Sequence, residues 1–197
     1  MIVIGLTGSI GMGKSTVTNQ LVQLGAKACN SDDVVHRLMA RGGAAVDDVR
    51  RRFPTVVKDG AVDRKALGDI VFKDKVKLYA LEQLLHPLVV AEEYRFANQQ
   101  RLKGTKIIVL DIPLLFETGA DERCDMTVVV TAPYFIQRQR VMKRPHMTEQ
   151  KFQSILRSQL PDREKQERGD VVVQTGLGKA RSFKDMALLV KKIREHI

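Results

Sequence analysis

With 197 residues, 44% of them hydrophobic and 28% charged, the chain can bury one full core and is neither a disordered tail nor a fibrous repeat. No apolar run approaches the length that crosses a bilayer, and Met1 leads straight into a strand without a basic leader; the expectation is a cytoplasmic protein with no membrane partner. An excess of 33 Lys and Arg over 23 Asp and Glu suits nucleic acid, anionic lipid or an acidic small molecule, so the placement of the charges has to decide.

The first element is the apolar run 2–6, read as a strand. It is followed by Gly8-Ser9-Ile10-Gly11-Met12-Gly13-Lys14-Ser15, the pattern G-x-x-x-x-G-K-S. Glycines in this pattern let the backbone turn tightly and bring several N–H groups onto phosphate oxygens. The lysine reaches the outer phosphates, and the serine hydroxyl holds Mg²⁺. A helix over 16–24 follows, with Val17, Leu21 and Leu24 at helical spacing and Gly25 as its stop. Strand, glycine-rich turn and helix together predict nucleoside triphosphate binding, with Mg²⁺ accompanying ATP.

The next strand, 26–29, ends beside Asp32 and Asp33, at the edge where open α/β sheets place their ligands. A carboxylate there either accepts the proton of an attacking hydroxyl or caps the helix carrying Val34, Val35 and Leu38; the residues alone leave both readings open. From about 30 to 105 the connection is too long for a single crossover helix and must hold an insertion. The insertion breaks at Arg41-Gly42-Gly43, at Pro54 and at Asp59-Gly60. It then carries Leu78, Leu81, Leu84 and Leu85 on an amphipathic helix. His86-Pro87 predicts a break before a further helix, because the residue ahead of a proline disfavours helix.

Strand 106–110 runs into Asp111, the position of a carboxylate that contacts Mg²⁺, followed by the proline-shaped loop Ile112-Pro113-Leu114-Leu115-Phe116-Glu117. After strand 126–131, Arg138, Arg140 and Arg144 fall on a predicted helix. Their spacing keeps all three from reaching one phosphate together. Residues 137–168 contain nine Lys and Arg against four Asp and Glu, half of the net +10, with few aromatics and no nucleic-acid-binding module. A basic lid closing over phosphates accounts for this stretch, as does plain solvation of exposed helix faces. Strand 171–174 and a last helix with Phe183, Met186, Val190 and Ile193 complete an α/β chain with a mainly parallel sheet covered on both faces. Cys29 and Cys124 lack metal or redox spacing and read as buried free thiols.

Taken together, these residues resemble the dephospho-coenzyme A kinase family over essentially the whole chain. The resemblance rests on L-T-G-x-I-G-x-G-K-S-T at 6–16, D-x-x-x-R at 33–37, D-R-x-x-L with V-F-x-D at 63–74, and L-E-x-L-x-H-P-L-V at 81–89. It continues through D-I-P-L-L-F-E at 111–117, Cys124-Asp125, R-x-R at 138–140, and R-x-Q-x-P-D-x-E-K at 157–165. It implies a P-loop NTPase-like three-layer fold with a five-stranded parallel sheet, a core of about 1–40, 105–136 and 169–197, a helical coenzyme-A-binding insertion at about 41–104, and a lid at about 137–168. It also implies phosphorylation of the ribose 3′-hydroxyl of dephospho-coenzyme A by ATP, with these two small molecules as partners and no nucleic acid. The rival within the same core is another small-molecule kinase acting on a nucleoside or nucleotide. A guanine-dependent switch would carry N-K-x-D, which does not occur.

Under the resemblance Asp33 is the general base, Lys14 and Arg140 act on the transferring phosphate, and Gly11, Met12, Gly13, Lys14, Ser15, Thr16 and Arg138 hold ATP. Ser15 and Asp111 serve the metal; Arg64, His86, Pro113, Leu114 and Glu117 join Asp33 on the acceptor side. The family's D-A-D after the second strand is Ser31-Asp32-Asp33 here, and Arg37 four residues on puts Asp33 in register. Where the family has an asparagine after the last strand, this chain reads Gln174-Thr175-Gly176-Leu177-Gly178, so no residue is assigned to the adenine.

Overall fold

The computed structural model describes residues 1–196. Its central sheet contains β1 (Ile2–Thr7), β2 (Lys27–Asn30), β5 (Ile107–Asp111), β6 (Met126–Thr131) and β7 (Val171–Gln174), in the order β2-β5-β1-β6-β7. β1 lies between β5 and β6, parallel to both, with Leu6 opposite Asp111 and Thr7 opposite Val129. β7 extends the parallel ladder beyond β6. Because the strands on either side of β1 are reached by opposite crossovers, the loop after β1 opens at the switch point of the sheet, where such folds leave a crevice.

The sequences of β1, β5 and β6 are apolar runs rich in β-branched residues, as expected of strands buried on both faces. Ile4, Leu6, Val109, Val128, Val130 and Val173 meet Val17 and Leu21 of α1 (Lys14–Gln23) and Met186, Val190 and Ile193 of α9 (Lys179–Glu195) in one core. The 3.6-residue period places Met186, Val190 and Ile193 inward as predicted. Phe183 departs from the prediction: it is exposed, and its neighbour Ser182 turns inward to meet the Gln20 side chain. A hydroxyl can satisfy that amide, whereas a phenyl ring cannot.

The chain divides into two compact units, Asn30–Gln99 and the remainder. The division falls at 29/30 and 99/100. The helix α2 (Ser31–Met39) is tied to α5 (Lys75–Leu102) by the buried Ser31 hydroxyl, which donates to Glu93 Oε1 at 2.6 Å. The unit also holds α3 (Val46–Arg52), α4 (Arg64–Val71) and a hairpin of β3 (Val57–Lys58) and β4 (Ala61–Val62). Asp59 and Gly60 both have positive φ at the hairpin tip, so the predicted break at this dipeptide is the two-residue turn that matches strand twist.

The predicted break at His86-Pro87 does not occur: α5 runs unbroken for 28 residues with Pro87 inside it. Pro87 lacks the N–H that would bond the Gln83 carbonyl. Both residues are exposed, so that carbonyl is not sealed from solvent, and apolar positions on either side keep the helix packed. His86 consequently sits exposed within a helix and caps nothing. Of the two thiols, Cys29 is buried as expected and Cys124 is only half-buried.

Candidate active site

The loop from Gly8 to Gly13 joins β1 to α1. Gly11, at φ 79°, passes within 2.5 Å of Val141 Cγ2 measured from where a Cβ would stand, so only glycine fits there. Gly13, at φ 91°, is the N-cap of α1 and offers no side chain to the helix N–H groups. α1 therefore starts at Lys14, two residues ahead of the predicted start, with its first amides open to an anion.

Lys14 reaches Asp111 Oδ1 at the carboxyl end of β5. Asp111 is 1% exposed and Lys14 16%. The other Asp111 oxygen accepts the Thr18 hydroxyl at 2.8 Å; Thr18 lies one turn beyond Lys14 on the same helix face. Sequence reasoning found the lysine and the aspartate but not Thr18, whose spacing from Lys14 was the available signal. Ser15 is exposed at the first turn of α1 and Thr16 half-buried.

Arg140, on α6 (Tyr134–Met142), donates through Nη1 to Thr175 Oγ1 at 2.9 Å and through Nη2 to the Thr175 carbonyl at 2.8 Å; Nη1 also approaches the Gly11 carbonyl at 3.4 Å. The Thr175 hydroxyl in turn donates to the Met12 carbonyl at 2.6 Å. Residue 175, in the stretch that departs from the family's asparagine, is thus packed under the glycine-rich loop. Arg138 faces elsewhere: it is exposed and pairs with Glu149 of α7 (Glu149–Arg157) at 2.9 Å. Two residues along a helix turn a side chain by about 200°, which separates the two arginines.

A second group of contacts joins the loop to 113–117. The Pro113 carbonyl accepts from the Thr7 hydroxyl at 3.0 Å and from Lys165 Nζ at 3.1 Å. Lys165, on α8 (Asp162–Arg168), is fully buried and pairs with Glu117 Oε1 at 2.8 Å. Gln137 donates to the Ile10 carbonyl at 2.8 Å, and Gln159 accepts from the Ile10 N–H at 3.1 Å. Leu114 is half-buried beside Pro113.

Asp33, Arg64 and His86 belong to the other unit and are exposed. The N-cap of α2 is Asn30, whose Oδ1 accepts from the N–H groups of Asp32 and Asp33. Neither aspartate caps the helix, so the capping alternative for Asp33 fails. Its carboxylate stands on the first turn, where the helix dipole favours a negative charge.

A parallel sheet with a glycine-rich loop after its central strand, a lysine at the head of the next helix and a carboxylate at the neighbouring strand end defines a protein of the P-loop nucleotide-binding class. Within that class the chain belongs to the dephospho-CoA kinase family, whose model matches residues 2–179. It is 52% identical over 165 residues to the dephospho-CoA kinase of Paramagnetospirillum magneticum, covering 84% of this chain and 78% of that protein. It is 46% identical over 194 residues to the dephospho-CoA kinase of Mesorhizobium japonicum, covering 98% of each. The crystal structure of TT1252 from Thermus thermophilus superposes with a TM-score of 0.81 at 34% identity, covering 96% of this chain and 97% of that one. Among the described residues no helix is long and apolar enough to cross a membrane.

Proposed function

We propose that this chain transfers the γ-phosphoryl group of ATP to the ribose 3′-hydroxyl of dephospho-coenzyme A, giving coenzyme A and ADP in the cytoplasm. The observation that carries the reading is the ammonium of Lys14 held on buried Asp111 at the head of α1, in a chain matched by the family model over 2–179. The glycine-rich loop and the open amides of α1 cradle the phosphates of ATP. On arrival of the triphosphate, Lys14 exchanges the Asp111 carboxylate for the outer phosphate oxygens, the more highly charged partner.

Ser15 and Asp111 supply hard oxygen donors, the set that suits magnesium bound jointly by protein and phosphates. They would hold the ion; when bound it neutralises charge on the β- and γ-phosphates. Asp33 accepts the proton of the 3′-hydroxyl as its oxygen attacks the γ-phosphorus. Arg64, His86, Pro113 and Leu114 orient the acceptor. Arg140 stabilises charge on the transferring group, and its two bonds to Thr175 hold the guanidinium plane in advance. Residues 137–168 exclude water so that ATP is transferred and not hydrolysed.

The test is mass detection of the 3′-phosphorylated product from ATP, Mg²⁺ and dephospho-coenzyme A, with chelation of Mg²⁺ abolishing it. Phosphorylation of a nucleoside in a panel of acceptors, with dephospho-coenzyme A untouched, would replace this reading with its rival.

A further inference from the structure

Lys165 is the one lysine or arginine that this fold buries completely, among the described residues. Its ammonium holds two points of one loop: the Pro113 carbonyl at 3.1 Å and Glu117 Oε1 at 2.8 Å. The same Glu117 oxygen accepts the N–H of Leu160 at 2.8 Å, while Oε2 is buried with no hydrogen-bond partner. Both carboxylate oxygens are therefore covered by protein. Next along the chain from Leu160, Gln159 holds the Ile10 N–H of the glycine-rich loop. On the far side Asp162 accepts the Thr131 hydroxyl at 2.6 Å at the end of β6. One short segment, 159–165, thus grips the phosphate loop, the 113–117 loop and the sheet edge between them.

A buried ion pair is a weak source of stability, because desolvation offsets the attraction, and here one carboxylate oxygen is left unsatisfied as well. What the pair does achieve is a fixed separation between loops that must present two reactants to each other. We propose that Lys165 and Glu117 are positioning residues for phosphoryl transfer: together with Gln159 they hold the 113–117 loop in register with the phosphate loop. Glu117 then acts through the loop it braces and does not touch the acceptor, in contrast to its expected place among acceptor-binding residues. The proposal rests on the reading of 113–117 as an acceptor-side loop. A displacement of about 1 Å between reacting groups lowers transfer by about a hundredfold while leaving nucleotide binding intact.

Two variants test it. Glu117→Gln with Lys165→Met removes both charges together, so no lone ion is buried; Gln159→Leu cuts the link to Ile10 at a half-buried site. For each, formation of 3′-phosphorylated product and release of inorganic phosphate from ATP are measured side by side, with the dissociation constant for ATP. The expected result is a ratio of transfer to hydrolysis at least tenfold lower in the double variant and about threefold lower in Gln159→Leu, with ATP affinity within about twofold of wild type. A merely structural role would reduce folded enzyme and lower both reactions alike, so an unchanged ratio overturns the proposal. If the double variant does not fold, the ratio in Gln159→Leu decides alone. A wild-type protein that makes no product from dephospho-coenzyme A refutes the functional reading itself, before any variant is compared.

Discussion

Replacing Lys14 by methionine separates what the phosphate-loop lysine does for the fold from what it does for the reaction. Methionine keeps most of the side-chain volume and removes the charge. Asp111, 1% exposed, then keeps the Thr18 hydroxyl but loses the ammonium that neutralises it. Breaking a buried pair by removing one partner costs about 3–5 kcal/mol; because Lys14 is 16% exposed and lets some solvent approach, the lower end, about 3 kcal/mol, is expected. In a chain of this size that corresponds to a melting temperature lower by about 6–12 °C. Adding Asp111→Asn should recover more than half of the loss, since an amide needs no counter-charge. Neither variant should transfer phosphate at more than about a thousandth of the wild-type rate. Thermal melts of nucleotide-free protein, read beside product formation, give both numbers. A Lys14→Met variant that melts within about 2 °C of wild type, or a double variant no more stable than the single, would refute the electrostatic reasoning while leaving the lysine's role in transfer open.

Asp33→Asn should bind ATP normally and lose transfer by about 10²–10⁴-fold, the usual contribution of a general base; transfer at the wild-type rate removes Asp33 from that role. Arg140→Lys keeps the charge but cannot reproduce the forked contact with the Thr175 hydroxyl and carbonyl. Its kcat should fall by about tenfold with little change in ATP affinity, as single-turnover assays would report. Asp170, at the entry to β7, accepts both the N–H and the hydroxyl of Thr127 at 2.7 Å, and these bonds hold its carboxyl below the ordinary value of 3.8. A carboxyl more acidic in the folded state stabilises fully above that ordinary value and loses its contribution as pH falls through the folded one. Asp170 is exposed, so solvent screens part of this gain, and Asp170→Ala should unfold more easily by about 0.5 kcal/mol at neutral pH. Denaturant titrations carried to progressively lower pH below the ordinary value of 3.8 should show the gap to wild type shrinking.

Much of the nucleotide half of the site was legible in the chain because its determinants are local. Glycines at 11 and 13, a lysine and a serine directly after them, and an apolar strand before them specify a turn that exposes amides, whatever surrounds it. Asp111 was equally visible, since a strand ending in a carboxylate needs only the period of its apolar residues to be seen. Capping stayed open at 31–33 because Asn30, assigned to neither element, is one residue earlier and reaches both amides. The unbroken α5 was missed for a different reason: the proline rule describes what a peptide prefers, and packing along 28 residues outweighs one absent hydrogen bond.

The sequence by itself determined the phosphate loop, the parallel α/β architecture and the family, all of which follow from short-range pattern and residue chemistry. Tertiary structure alone decided which partner each charged side chain meets. Arg138 and Arg140 are alike on paper, yet helix rotation sends one to Glu149 and the other to Thr175. Lys165 looks like a solvated lysine among nine basic residues and is instead sealed against Glu117. These partners lie 11, 35 and 48 residues away along the chain, and no local pattern encodes which of them a side chain will meet.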